Sequence, residues 1–242
     1  MDEPSLSRAA TSQGGGAGSL PNSTSQMSFP NRFLDSLIFD LDGTLWDTMD
    51  SCAVAWNQVI HRHRIPFREI SPADIRAVTG MAHEQCIRSV FHGLPEETLL
   101  SLIRETMEED NKVIGQRGGL LYPGVREGLA QLEAKYPLFI VSNCQSGYIE
   151  TFIRWSGISL FKDFECWGNT GKTKSQNLRD LVARNRLASP AFIGDTEGDA
   201  TAAEDCGIPF IHVEYGFGKC STKVFSAATF SDLVAQILAS SI

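Results

Sequence analysis

Short apolar runs that stop abruptly on polar residues set the rhythm of this chain. Ser36-Leu37-Ile38-Phe39 ends at Asp40, and Leu138-Phe139-Ile140-Val141 ends at Ser142-Asn143. Ala191-Phe192-Ile193 ends at Gly194-Asp195, and Pro209-Phe210-Ile211-His212-Val213 runs into Tyr215-Gly216-Phe217-Gly218. Runs this short suit strands buried on both faces, as in a parallel sheet. Helical patterns lie between them, at about 124–135, 146–156, 174–186 and 197–206, with a last one at about 230–240. Strands alternating with helices predict an α/β fold with a doubly wound, Rossmann-like parallel sheet. Ligands of such sheets bind beyond the carboxyl ends of the strands.

Residues 47–115 break the rhythm. Met49, Cys52, Ala53, Trp56, Val59, Ile60 and His63 repeat at helical spacing, and further helices are expected at 72–78, 83–91 and 95–113. This reads as an all-α cap, inserted between the first two strands of a core formed by 33–46 and 116–242. Inserted there, it would sit over the site as a lid. Residues 1–32 are rich in Ser, Thr, Asn and Gly, and too poor in apolar groups to offset the entropy of ordering, so a disordered tail is expected.

Composition narrows the function. The formal net charge is −8, and Asp2, Glu3, Arg8 and Arg32 cancel within the tail, so the folded part carries it all. An acidic body disfavours nucleic acid, whereas a small anion can still bind where a metal and a lysine reverse the field locally. No apolar run approaches the ~20 residues of a membrane span. Six cysteines without a CxxC pair argue against a zinc site or a disulfide framework and for a reducing, cytoplasmic setting.

The candidate chemistry sits where the strands end. Asp40 and Asp42 lie two apart at the end of an apolar strand, so their side chains start on one side of the chain. Gly43 then lets the backbone turn. Two close carboxylates persist if a cation or a shared proton offsets their repulsion. As a lone pair they would read as ordinary turn residues, but Ser142, Asn143, Asp195 and Asp199 end other strands or follow one helical turn later. Lys174 opens a helix between two of those strands. Ser142 alone would be a cap and Lys174 alone a solvated lysine. Together, the carboxylates and a backbone carbonyl suit Mg²⁺, while a hydroxyl, an N–H and an ammonium suit phosphoryl oxygens.

These motifs, in this order, resemble the haloacid dehalogenase (HAD) superfamily from about Leu34 to the C-terminus. Phe39-Asp40-Leu41-Asp42-Gly43-Thr44 resembles its first motif, Ser142 its second, Lys174 its third, and Gly194-Asp195-Thr196-Glu197-Gly198-Asp199 its fourth. The insertion looks like the small helical cap of the phosphoglycolate phosphatase and β-phosphoglucomutase branch. The resemblance implies a Mg²⁺-dependent phosphatase with Asp40 as nucleophile and Asp42 as general acid and base. It implies Mg²⁺ held by Asp40, the Asp42 backbone carbonyl, Asp195 and Asp199, and phosphate held by Thr44, Ser142, Asn143 and Lys174. Lys172 is the alternative to Lys174. Thr79, Gly80 and Met81 fall where related caps place a substrate-contacting loop, with Arg76, His83, Glu84 and Arg88 as weaker candidates beside it. The implied partner is a small phosphorylated metabolite, phosphoglycolate or a sugar phosphate among the choices, and the implied state is a monomer or homodimer.

Other members of the resemblance set are disfavoured by particular residues. A dehalogenase would lack Asp42. A β-phosphoglucomutase carries a His four residues past the position matched by Asp47, where this chain has Ser51. A phosphonate hydrolase would want a cap lysine, and Lys112 lies late in the insertion. A non-catalytic relative would lack a motif residue, and none is missing.

Overall fold

The computed structural model describes residues 34–221 and 225–239; the tail expected over 1–32 lies outside them. Strand β1 (Ser36–Phe39) leads into a two-residue strand β2 (Trp46–Asp47) and then the four helices of the insertion: α1 (Met49–His63), α2 (Pro72–Arg76), α3 (His83–Val90) and α4 (Glu96–Arg117). The chain returns through β3 (Leu120–Leu121), which pairs antiparallel with β2. There follow α5 (Val125–Glu133), β4 (Leu138–Ser142), α6 (Tyr148–Ser156), β5 (Phe161–Cys166), α7 (Trp167–Thr170) and α8 (Lys174–Asn185). The last elements are β6 (Pro190–Gly194), α9 (Glu197–Cys206), β7 (Phe210–Val213), β8 (Phe225–Ala227) and α10 (Phe230–Ala239).

The six-stranded sheet has the order β5-β4-β1-β6-β7-β8, and every pairing in it is parallel. β1 is central, flanked by β4 and β6, so the carboxyl ends of these three strands are neighbours. All residues of β1, β4 and β6 are buried, as continuous apolar runs in a two-faced parallel sheet require. Side chains alternate between the faces. Leu37 and Phe39 join the core under α5, α6 and α10, whereas Ile38 joins Leu178 and Leu181 of α8 and Ala203 of α9.

The sequence reading missed two edge strands. β5 carries Lys162, Asp163 and Glu165, and β8 has three residues, so neither presents an apolar run. Both sit at sheet edges, where only part of the strand needs covering.

In the insertion, α1 packs along α4. Arg62 and His63, at the end of α1, pair with Glu109 and Glu105 of α4. Trp46, fully buried where the cap leaves the core, meets Tyr148, Phe152 and Trp155 at ring distances of 5.5, 4.9 and 5.9 Å. The apolar core is continuous from the sheet's α5–α6–α10 face into the cap through this cluster.

Candidate active site

Asp40 follows β1 directly, and its N–H donates to Ile193 O of β6 at 2.8 Å, which fixes it between the strand ends. Gly43 turns the chain at φ +84°, a conformation costly for residues with a side chain. A Cβ there would stand 2.3 Å from Asp195 Oδ2, so the glycine also leaves the space that Asp195 fills. Asp195 follows β6. Its Oδ2 accepts from the N–H groups of Phe217 (2.7 Å) and Gly218 (3.1 Å), and its Oδ1 from Thr44 Oγ1 (3.3 Å). Asp199 stands in the first turn of α9. Its Oδ2 accepts from the Thr196 N–H and hydroxyl, forming a capping box, which turns its Oδ1 toward the site.

These elements bring Asp40, Asp195 and Asp199 together: one carboxylate oxygen from each lies within 4.8 Å of the others, and all three are buried. Lys174, at the start of α8, reaches into the same group. Its Nζ is 2.9 Å from Asp40 Oδ1 and 2.6 Å from Asp199 Oδ1. Lys172 points away, pairing with Asp180 at the surface, so Lys174 is the lysine of this cluster.

One cation among three buried carboxylates leaves a charge deficit. Burial raises Asp40 well above the ordinary carboxylate range, further than Lys174 pulls it back, and Asp199 and Asp195 add to the rise. Burial likewise lifts Asp195 to about 6, with Asp199 adding to it. Burial opposes the charge on Lys174, but Asp199 and Asp40 outweigh it and hold the ammonium firmly protonated. Asp40 Oδ1 lies at ion-pair distance from Lys174 yet has no aligned hydrogen bond. Clustered hard oxygens and excess negative charge fit a divalent cation such as Mg²⁺.

Asp42 stands beside this cluster but outside it. Its Oδ1 accepts from Tyr148 OH at 2.8 Å and Thr48 Oγ1 at 3.3 Å, and these two hydroxyls are 2.7 Å apart. Burial raises Asp42 to about 6, while Tyr148 and Thr48 restrain the rise. That places a carboxyl near neutrality where it can both give and take a proton.

Ser142 ends β4 and lines the cavity with Asp40, Asp42 and Lys174. Asn143 also lines it, but its Nδ2 donates to the Gly80 carbonyl at 2.8 Å, tying the core to the cap. Thr44 is turned to Asp195 and is not among the cavity residues. Thr79, Gly80 and Met81 line the cavity, as does His83. Arg76 instead pairs with Asp47 and covers the Phe217 ring, and Arg88 pairs with Glu84 and Glu96 on the cap surface.

Residues that sequence reasoning missed complete the site. Thr48 and Tyr148 hold Asp42. Trp56, which the sequence shows only as part of a helical apolar repeat, and Asp110 line the cavity from the cap and share a hydrogen bond of 3.1 Å. Helical spacing put Trp56 on an apolar face but carried no signal that it reaches a cavity, and nothing in the spacing singled out Tyr148.

The profile of the haloacid dehalogenase-like hydrolase family matches residues 37–213. Among curated proteins, "Probable phosphatase IndB" of Dickeya dadantii is 28% identical over 212 residues, covering 82% of this chain and 91% of the relative. A phosphoglycolate phosphatase of Escherichia coli is 26% identical over 213 residues, covering 77% of this chain and 84% of its own. Among solved structures, CbbY of Rhodobacter sphaeroides in complex with phosphate superposes with a TM-score of 0.70 at 17% identity, over 83% of this chain and 96% of CbbY. No helix among the described residues is long and apolar enough to cross a membrane. With the matched segment running from β1 to β7 and holding all four motifs, the chain belongs to the haloacid dehalogenase-like hydrolase family.

Proposed function

We propose that this protein is a Mg²⁺-dependent phosphatase that hydrolyses a small phosphorylated metabolite through an aspartyl phosphate on Asp40. The observation that carries this reading is the buried Asp40, Asp195 and Asp199 cluster around Lys174, with a titratable Asp42 beside it. Asp195, Asp199 and Asp40, with the Asp42 backbone carbonyl, would hold Mg²⁺. When bound, the metal neutralises charge on the phosphoryl oxygens and favours in-line geometry.

The chain's own groups do the rest. Ser142 and Lys174 hold phosphoryl oxygens. A carboxylate oxygen of Asp40 attacks phosphorus as the bond to the leaving oxygen breaks, and Asp42 gives its proton to that oxygen. Asp42 then takes a proton from water, which attacks the phosphorus and releases phosphate and the free Asp40 carboxylate. Tyr148 and Thr48 position Asp42 for both transfers. Thr44 acts on Asp195, and Asn143 holds the Gly80 loop against the core.

Hydrolysis of p-nitrophenyl phosphate tests this directly. Turnover is expected with Mg²⁺, loss with EDTA, and recovery when Mg²⁺ is returned; activity indifferent to EDTA overturns the reading. Gly43→Ala tests the packing of the cluster. Its Cβ would displace Asp195 and strain the turn, at a stability cost of roughly 1–3 kcal/mol. Because Asp195 moves, kcat/KM is expected to fall by about 10²-fold. A variant with unchanged turnover would show that Asp195 need not sit where Gly43 lets it.

A further inference from the structure

The cavity that starts at Asp40 and Asp42 continues into the cap, enclosing about 580 Å³ of empty space, part of it open to solvent. That volume suits a small metabolite rather than a polymer. A leaving group attached to a phosphate at Asp40 has to fit this space, so the polar groups on its walls select it.

One wall comes from the loop between β4 and α6. Gln145 lies in this loop, three residues past Ser142, and lines the cavity while only 4% exposed. Its Nε2 is buried with no hydrogen bond. The backbone on both sides of it is held. The Cys144 carbonyl accepts from the Gly168 N–H at 3.0 Å, and a Cβ on Gly168 would stand 2.6 Å from Gln145 Cα, so α7 packs directly on the loop. The Gln145 carbonyl accepts from the Tyr148 N–H at 3.4 Å as α6 begins. From the cap, Asn111 Nδ2 donates to the Ser146 carbonyl at 2.8 Å. A buried amide donor without an acceptor is costly, and folded proteins leave few of them.

A second unmet atom lies on the same lining. Asp110 Oδ2 accepts from Trp56 Nε1 at 3.1 Å, whereas Asp110 Oδ1 is buried with no hydrogen bond. Burial raises the Asp110 carboxyl well above the ordinary carboxylate range, so it is neutral and Oδ1 can donate as well. The Asn111–Ser146 hydrogen bond joins the chain neighbours of Asp110 and Gln145, so both unmet groups belong to one junction of cap and core. That junction presents neutral donors: among the described residues lining the cavity, Lys174 is the only lysine or arginine, and it is engaged by Asp40 and Asp199.

We infer that Gln145 is a specificity-determining residue, whose side-chain amide donates to an oxygen of the leaving group, a hydroxyl or a carboxylate, beyond the ester oxygen. The inference rests on the phosphatase reading above. It separates Gln145 from Ser142 and Lys174: those two hold the phosphoryl group common to every substrate, whereas Gln145 acts only where the leaving group offers an acceptor.

The test uses the full chain with Mg²⁺ and matched alkyl monophosphates of two to four carbons, ending in hydroxyl, carboxylate, methyl or ammonium. For the wild-type protein, kcat/KM is expected to be about tenfold or more higher for an oxygen-ended chain than for its methyl counterpart, the scale of an unmet buried donor. The hydroxyl and carboxylate arms show which oxygen the site takes, and either as the best substrate supports the inference. In Gln145→Met, which keeps the length without the amide, that ratio is expected to collapse. In Gln145→Glu, which puts an acceptor in place of the donor, the ammonium-ended chain is expected to gain on the oxygen-ended ones. A methyl- or ammonium-ended chain as the best wild-type substrate overturns the inference. So does a pair of variants that keep the wild-type ranking, or that lower all arms alike as a purely structural or phosphoryl-binding residue would. The wild-type ranking stands even if the variants fold poorly. Parallel turnover of p-nitrophenyl phosphate by the wild-type protein separates the two failures: its absence removes the phosphatase reading itself, and its presence with the wrong ranking removes only the role of Gln145.

Discussion

Asp40→Asn is expected to abolish turnover while leaving the fold in place. The substitution removes the atom that attacks phosphorus, and no neighbouring group can replace it. Asp42 is held by Tyr148 and Thr48, and Asp195 by two backbone N–H groups and Thr44. A loss on the order of 10⁴-fold or more in kcat follows, as for other nucleophile deletions. The fold should tolerate the change because Asn keeps the shape and removes a carboxyl that burial already disfavours as an anion. Lys174 retains Asp199 at 2.6 Å, so no buried cation is orphaned. Acid quenching of the wild-type reaction with ³²P-labelled substrate should trap an acid-stable, alkali-labile phosphoprotein, and the variant should give none. A variant that keeps turnover within tenfold of wild type, or that traps the same phosphoprotein, would remove Asp40 from the nucleophile's role.

The sequence made this core site legible because its chemistry is local. Asp40 and Asp42 share one strand end, and Asp195 and Asp199 share one strand-to-helix turn, so spacing alone puts each pair on one side. The parallel sheet then brings the two turns together, since β1 and β6 are neighbours. Lys174 was readable for a related reason: a cation at a helix N-terminus is unfavourable unless something compensates, and Asp40 and Asp199 do so. The cap is different. Asp110 sits within Glu108-Glu109-Asp110-Asn111, which reads as a solvated helix face, yet Asp110 is 2% exposed. Its burial depends on how α4 packs against α1 and α3, which no short spacing encodes. Tyr148 and Thr48 are 100 residues apart and meet only because the cap is anchored on α6. Edge strands β5 and β8 were hidden for the converse reason, since they need too little apolar surface to leave a pattern.

Lys174→Met should show how the charge of this cluster is balanced, and its effect depends on both metal and pH. The lysine is buried between Asp40 and Asp199, and removing one partner of a buried ion pair costs roughly 3–5 kcal/mol. In EDTA near pH 8 that corresponds to a fall in Tm of roughly 10 °C. The pH dependence follows from the carboxyls. Asp195 and Asp42 are raised from 3.8 to about 6, and Asp40 is raised as well, so between about pH 4 and these values the folded protein binds more protons than the unfolded chain. Stability of the metal-free protein therefore falls as pH rises through that window. Lys174 lowers all three carboxyls, so its loss pushes them higher and steepens the fall. The gap between variant and wild type should be small near pH 5, where the carboxyls can protonate, and largest at pH 8. Added Mg²⁺ should narrow the gap at pH 8, because a divalent cation supplies the missing charge to the same oxygens. Turnover should remain low even then, since the metal does not replace the ammonium on the phosphoryl oxygens. Thermal melts across pH 5–8, each in EDTA and in Mg²⁺, read all of these. A gap that is the same at every pH and untouched by Mg²⁺ would mean that Lys174 stabilises the fold by packing, and that the three aspartates are not held together by charge.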